Sequence, residues 1–223
     1  MKILITGTAR GIGRAAALKF LRLGHEVHGI DTEASAIDHP RYRHWIADIR
    51  NREALPEIPG VEILFSNAGI QQGEEDIATN LVGAIHVTEK YTAGNPALKS
   101  ILFNASASSV SGQEFPNYVA SKAGLVGYMR NVAIRVAPRG VTCNAISLGG
   151  VLTDSNDAVM KDPGLWKAIM DVTPMKKWTT LDEVCEWIVF LTAVNRSMSG
   201  QNLLIDNGEK DLNPTFVWPG YEP

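Results

Sequence analysis

Cysteine is scarce in this chain: Cys143 and Cys185 are the only two among 223 residues. Neither belongs to a CxxC pair or lies near a histidine-rich spacing. That scarcity argues against a disulfide framework or a metal site and for a reducing, cytoplasmic compartment. Neither sign of charge dominates, since 21 Lys and Arg stand against 24 Asp and Glu for a formal net charge of −3. No broad basic field is therefore expected to draw in nucleic acid or anionic lipid. No apolar stretch reaches the roughly 20 residues that would span a bilayer, and residues 1–7 are too short an apolar run for a signal peptide. Repeats, low-complexity tracts and linkers are missing as well, which favours one domain over two.

What is present is a rhythm. Short runs rich in Ile, Val and Leu, at residues 2–6, 26–30, 44–47, 63–66, 100–105, 141–146 and 202–205, alternate with stretches of helical period. Helices are expected at 11–23, 77–92, 117–137, 163–172 and 181–192, where apolar residues recur at three- and four-residue spacings. Strand-helix alternation of this kind predicts a doubly wound, parallel α/β sheet of seven strands in three layers. Pro56 and Pro59 restrict the crossover between the third and fourth strands to a short helix at most. Residues 1–208 form the expected domain. Residues 209–223 read as an extended tail whose Phe216, Trp218 and Tyr221 need apolar cover.

The first strand runs straight into Gly7-Thr8-Ala9-Arg10-Gly11-Ile12-Gly13 and then a helix. Glycines at such a turn let backbone approach a pyrophosphate, whose charge sits on the free N–H groups of the helix N-terminus. Asp31 closes the second strand, 18 positions after Gly13, where a carboxylate accepts ribose hydroxyls of NAD and repels the 2′-phosphate of NADP. Arg10 is the opposing signal, because a guanidinium beside the loop suits a 2′-phosphate. Asp31 outweighs it, so NAD is the expected cofactor and NADP the alternative.

Tyr118 and Lys122 stand one helical turn apart on one face. A phenol with an ordinary pKa of ~10 is a poor acid or base at neutral pH, and a nearby ammonium favours its phenolate.

Residues 6–13, Asn67-Ala68-Gly69, Tyr118 to Lys122 and residues 144–153 together resemble the short-chain dehydrogenase/reductase family over nearly the whole chain. The resemblance implies a Rossmann-like sheet, hydride transfer between a secondary alcohol and a ketone, and Tyr118 as acid and base. It implies Lys122 as holder of the nicotinamide ribose, Asn80 as holder of a water on a proton path, and a serine after the fifth strand that polarises the substrate oxygen. Ser106 is the first choice for that serine and Ser108 the second. Further cofactor contacts implied are Ile12, Asp48, Ile49, Asn67, Ala68 and Gly69, with Val151 and Thr153 at the carboxamide.

The sequence departs from the family where Leu148 replaces a usual proline, which predicts a looser turn beneath the nicotinamide. Two segments, 48–63 and 69–80, are short. Residues 154–180, carrying Met160, Trp166, Ile169, Met170, Met175 and Trp178, fall where the family has its mobile substrate lid. A hydrophobic or mixed substrate, such as a cyclic ketone or alcohol, is one reading of these side chains, and structural core is the other. Lys161, Lys167, Lys176 and Lys177 are possible rim residues. A homodimer or homotetramer is expected, with Tyr128, Met129 and Val132 at its interface. Three other readings stay open: an NADPH-linked 3-oxoacyl thioester reductase, a dehydrogenase of sugars, steroids or other cyclic alcohols, and a non-catalytic dinucleotide-sensing regulator. The complete set of Asn80, Ser106, Tyr118 and Lys122 argues against the sensor.

Overall fold

The structure, a computed structural model, describes residues 1–71, 73–112, 115–210 and 212. The aromatics expected to need cover at 216, 218 and 221 lie outside them. Seven strands form one sheet: β1 (Lys2–Thr6), β2 (Glu26–Asp31), β3 (Tyr42–Ile46), β4 (Ile63–Ser66), β5 (Ser100–Asn104), β6 (Thr142–Leu148) and β7 (Asn202–Ile205). All pairings are parallel, in the order β3-β2-β1-β4-β5-β6-β7. β4 and β6 are buried along their whole length, as befits inner strands covered on both faces, although β6 carries Thr142, Asn144 and Ser147 among its apolar residues.

Two layers of helix cover the sheet. α1 (Gly11–Arg22) lies on one face, where Ala16, Ala17 and Phe20 meet Ile3, Ile5 and Phe65. α2 (Ala84–Thr92) lies on the other, where Val87 and Tyr91 meet Leu4, Leu64 and Ile101. The short α3 (Ser108–Ser111) precedes α4 (Pro116–Val136), which shares the second face. α5 (Asp157–Met160), α6 (Pro163–Val172) and α7 (Leu181–Val189) complete the order, and α7 returns to the first face. Proline at the first position starts α4 and α6, and a Thr180–Glu183 capping box starts α7. Among the described residues no helix is long and apolar enough to cross a membrane.

The differences from expectation have local causes. β6 extends to Leu148 because Leu148 pairs with Ile205 of β7. The Ala107 amide also donates to the Leu148 carbonyl at 2.8 Å and the Gly149 amide to the Ile205 carbonyl at 3.0 Å. The turn expected to be loose is therefore tied to both neighbouring strands. The 77–92 helix begins with π-type turns over Ala78–Gly83 before becoming α2. A Cβ at Gly83 would meet the Ile49 side chain at 2.7 Å, so this turn is shaped around that contact. The crossover after β3 contains a single 3₁₀ turn, Arg52–Ala54. Leu55, Ile58 and Val61 fill the space where a longer helix would pack.

The interface expectation for α4 needs correcting. Met129 and Val132 are fully buried against β5 and β6 as part of the second-face core. Tyr128 is half-buried, edge-on to Phe103, and its hydroxyl donates to Glu89 on α2 at 2.7 Å. Met129 and Val132 are therefore not available to a partner. The exposed apolar residue of this helix is Ile134.

Candidate active site

β1 lies where the strand order reverses direction, and its C-terminal end opens the crevice in which such sheets bind ligands. The glycine loop there is held from below by Asn67. Its Nδ2 donates to the carbonyls of Thr6 at 2.9 Å and Gly7 at 3.3 Å, and Thr6 Oγ1 accepts the amides of Asn67 and Ala68, each at 3.0 Å. Asn104 in turn donates to Asn67 Oδ1 at 2.9 Å. Glycine is dictated by this crossing: a Cβ on Gly13 would lie 1.9 Å from the Gly7 oxygen. Gly11 is different, with φ +55° and open space where its Cβ would be.

At the start of α1, Arg10 makes no side-chain cap and the first turn carries no acid. Those amides are free of a side-chain acceptor and fit a phosphate, including the Ile12 amide one residue into the helix. The loop therefore fits a dinucleotide.

Asp31 and Arg10 do not compete for the same ground. Asp31 accepts the Ala9 amide at 2.9 Å through Oδ2 and the Glu33 amide at 3.0 Å through Oδ1, which leaves lone pairs on both oxygens. Arg10 is ion-paired to Glu33 at 3.1 Å. Glu33, which the sequence pattern did not single out, thus sets a second carboxylate beside the first. Beneath them a chain of contacts runs from Thr8 Oγ1 to Tyr42 Oη and on to His44 Nδ1, each 2.9 Å, and from His44 Nε2 to the Glu33 carbonyl at 2.8 Å. Asp48 is taken up by Arg50, whose guanidinium bonds hold its carboxyl below the ordinary value. Ile49 is buried against Gly83.

At the far end of the loop, Gly69, Asn80 and Lys122 converge. A Cβ on Gly69 would sit 3.0 Å from Asn80 Oδ1 and 3.3 Å from Lys122 Nζ. Asn80 is buried, with Oδ1 accepting the Ile70 amide and Nδ2 donating to the Ile70 carbonyl, both at 2.8 Å, and to Ser121 Oγ at 3.0 Å. The side chain thus braces the β4–α2 loop against α4. Lys122 is buried, its Nζ donating to the Asn104 carbonyl at 2.7 Å and lying 5.7 Å from the centre of the half-buried Tyr118 ring. Burial draws its ammonium down to about 8. Asn104, Ser121 and Glu33 carry no local sequence signal, because they act through backbone or through bonds between distant segments.

Ser106 and Ser108 are both buried, and Ser106 Oγ donates to Ser108 Oγ at 3.1 Å while accepting the Ser108 amide at 3.2 Å. The two candidates form one hydroxyl pair. Ser109 is turned away, bonding the Ser106 carbonyl and Ser147.

Beyond β6, Val151 is buried and bridges Thr179, and the half-buried Thr153 pairs with Ser155 at 2.8 Å. The Trp178 ring lies on Gly150, where a Cβ would come within 2.1 Å of it, and Trp166 of α6 stands edge-on to Trp178. α6 itself buries no residue. Leu165, Val172 and Met175 within residues 154–180 are exposed, as are Ile70 after β4 and Val110 after β5. Trp178 is thus core and Trp166 its partner, whereas Met160, Ile169 and Met170 are half-buried and Leu165, Val172 and Met175 face outward.

Comparison with known proteins gives a consistent result. The family described as enoyl-(acyl carrier protein) reductase matches residues 53–210. Glucose 1-dehydrogenase of Gluconobacter oxydans is 28% identical over 93% of this chain and 91% of its own. (+)-Borneol dehydrogenase 1 of Salvia officinalis is 35% identical over 70% of this chain and 67% of its own. Among solved structures, an oxidoreductase of the short-chain dehydrogenase/reductase family from Burkholderia thailandensis superposes with a TM-score of 0.86 at 27% identity, covering 95% of this chain and 93% of that one.

Proposed function

Since the chain belongs to the short-chain dehydrogenase/reductase family, oxidoreductases of alcohols and ketones with a nicotinamide cofactor, we propose that it interconverts a secondary alcohol and a ketone with NAD(H). The observation that carries this reading is Lys122, a buried ammonium one helical turn from Tyr118 with its Nζ on the Asn104 carbonyl. A buried charge needs partners, and a dinucleotide sensor has no use for one beside a phenol.

When bound, the nicotinamide gives or takes the hydride. The chain's residues handle the proton. Tyr118 Oη protonates the forming alkoxide in reduction and takes the hydroxyl proton in oxidation. Lys122 stabilises negative charge on that phenol oxygen. The Ser106–Ser108 hydroxyl pair polarises the substrate oxygen, Ser106 turning its one proton from Ser108 Oγ to the substrate. Asn80 fixes the loop against which Lys122 is seated.

Asp31 and Glu33 favour NAD: a 2′-phosphate there would meet two carboxylates, and Arg10 is already engaged with one of them. Fluorescence titration is expected to give NADH at least tenfold tighter binding than NADPH, a difference of about 1.4 kcal/mol. Asp31→Ala is expected to erase most of that ratio. Tighter NADPH binding by the unaltered protein would reverse the cofactor assignment.

The apolar side chains exposed after β4, β5 and β6 favour a bulky apolar alcohol or ketone, such as a cyclic one. Lys161 and Lys167 pair with acids of their own helices, Lys176 binds backbone carbonyls and Lys177 pairs with Glu183. That usage disfavours an acyl-carrier thioester, the reading to which the matched family description points. With the better cofactor, kcat/KM is expected to be higher for cyclic apolar ketones than for sugars or 3-oxoacyl thioesters. Leu165→Lys is expected to raise KM for the preferred ketone with little change in kcat, and preference for a sugar would refute the substrate class. The reading includes a cytoplasmic homo-oligomer.

A further inference from the structure

Asp76 stands one turn ahead of Asn80, at the entry to the helical segment that carries it. Its side chain is fully buried. Oδ1 accepts the Gly73 amide at 3.1 Å, and among the described residues Oδ2 has no hydrogen-bond partner. An acid in a first helical turn is ordinary where it faces water and the helix dipole. A carboxylate shut away from water calls for an opposite charge.

Lys122, buried on the neighbouring helix, is the opposite charge that acts on it through space, without a direct ion pair among the described residues. Asn80 Nδ2 reaches Ser121 Oγ at 3.0 Å, next to Lys122 in sequence. The open side of Gly69 measures how tight the cluster is, since one point there lies 3.0 Å from Asn80 Oδ1 and 3.3 Å from Lys122 Nζ. Around the amine, α4 contributes Tyr118, β5 contributes the neutral Asn104 and the β4–α2 loop contributes Asp76. Asp76 is the one charged group among the described residues found to act on Lys122, and it opposes the fall that burial imposes.

We propose that Asp76 is a positioning residue of this centre, the buried counter-ion that holds Lys122 as an ammonium beside Tyr118. The inference rests on the assignment of Tyr118 and Lys122 as the reacting pair. Removing an anion from beside a cation makes the cation easier to deprotonate, so Asp76→Asn acts on the alkaline side. Loss of a merely structural acid would lower activity at every pH and leave the ionisation of Lys122 in place.

The direct test is NMR titration of the protein labelled with ¹³C-lysine, the Lys122 signal being identified by its loss in Lys122→Met. Asp76→Asn is expected to lower the Lys122 midpoint by about one pH unit or more, a tenfold change in its protonation, and Asp76→Glu to restore most of it. The alkaline limb of kcat/KM should move down by the same interval. An unchanged midpoint in Asp76→Asn overturns the inference, whatever the turnover. A lowered midpoint together with full activity in Tyr118→Phe supports the coupling of the two charges and defeats the catalytic assignment instead. If Asp76→Asn fails to fold by circular dichroism, Asp76→Ser removes the same charge and is read the same way.

Discussion

Tyr118→Phe is expected to lower kcat by about 10²–10⁴-fold, the range that positioned proton transfer contributes, while NADH still binds with near-native affinity. The substitution deletes one oxygen and leaves the ring, so the packing at the start of α4 and the contact between the ring and Lys122 Nζ survive. The phosphate-binding features lie elsewhere, at the end of β1 and the start of α1. Binding and turnover should therefore separate cleanly. Lys122→Met should not separate them, because that amine is assigned both the nicotinamide ribose and the charge beside the phenol. Steady-state turnover with a ketone, set beside NADH fluorescence titration of both variants, gives the comparison. Turnover by Tyr118→Phe within tenfold of the unaltered protein would remove Tyr118 as acid and base and leave the Ser106–Ser108 pair to be tested in its place.

The sequence disclosed whatever is written in contiguous residues. The inner strands were legible because a strand covered on both faces is rich in apolar residues, as in Ile63–Phe65 of β4, whereas the partly exposed β3, Tyr42–Ile46, carries a weaker signal and starts two residues before the expected 44–47. The glycine loop was legible because Gly7, Gly11 and Gly13 follow such a run directly. What stayed hidden depends on segments that meet only in the fold. Asn104 looked like a strand end, yet its carbonyl receives Lys122 and its amide braces Asn67. Glu33 looked like a loop acid, yet it neutralises Arg10, the residue that had argued for a 2′-phosphate. Met129 and Val132 were misjudged for a related reason. A long helix of moderate amphipathicity does not announce which stripe faces the sheet, and these two fall on the stripe with Leu125 and Val136. Asp76 drew no attention, since burial of an acid has no local signature.

Gly13→Ala is expected to weaken NADH binding by about 100-fold or more, about 2.8 kcal/mol, and to destabilise the fold as well. The difficulty is not backbone conformation, since Gly13 lies within α1 and alanine is a good helix former. It is space: the new Cβ would stand 1.9 Å from the Gly7 oxygen and 2.6 Å from Asn67 Nδ2. Either α1 must move off the end of β1 or Asn67 must release the Gly7 carbonyl, and each displaces the amides that face the pyrophosphate. Overpacking of this kind costs about 1–3 kcal/mol, which for a chain of this size lowers Tm by about 2–12 °C. Gly11→Ala provides the contrast, because its Cβ would enter open space and its φ of +55° imposes only the left-handed penalty, about 1–2 kcal/mol. Its backbone is nonetheless the one left bare for a ligand. Gly11→Ala should lose NADH affinity by about tenfold with the smaller thermal shift of the two. Thermal unfolding and NADH titration of both variants decide the matter: equal Tm losses, or native affinity in Gly13→Ala, would show that the loop is not packed on Asn67 as described.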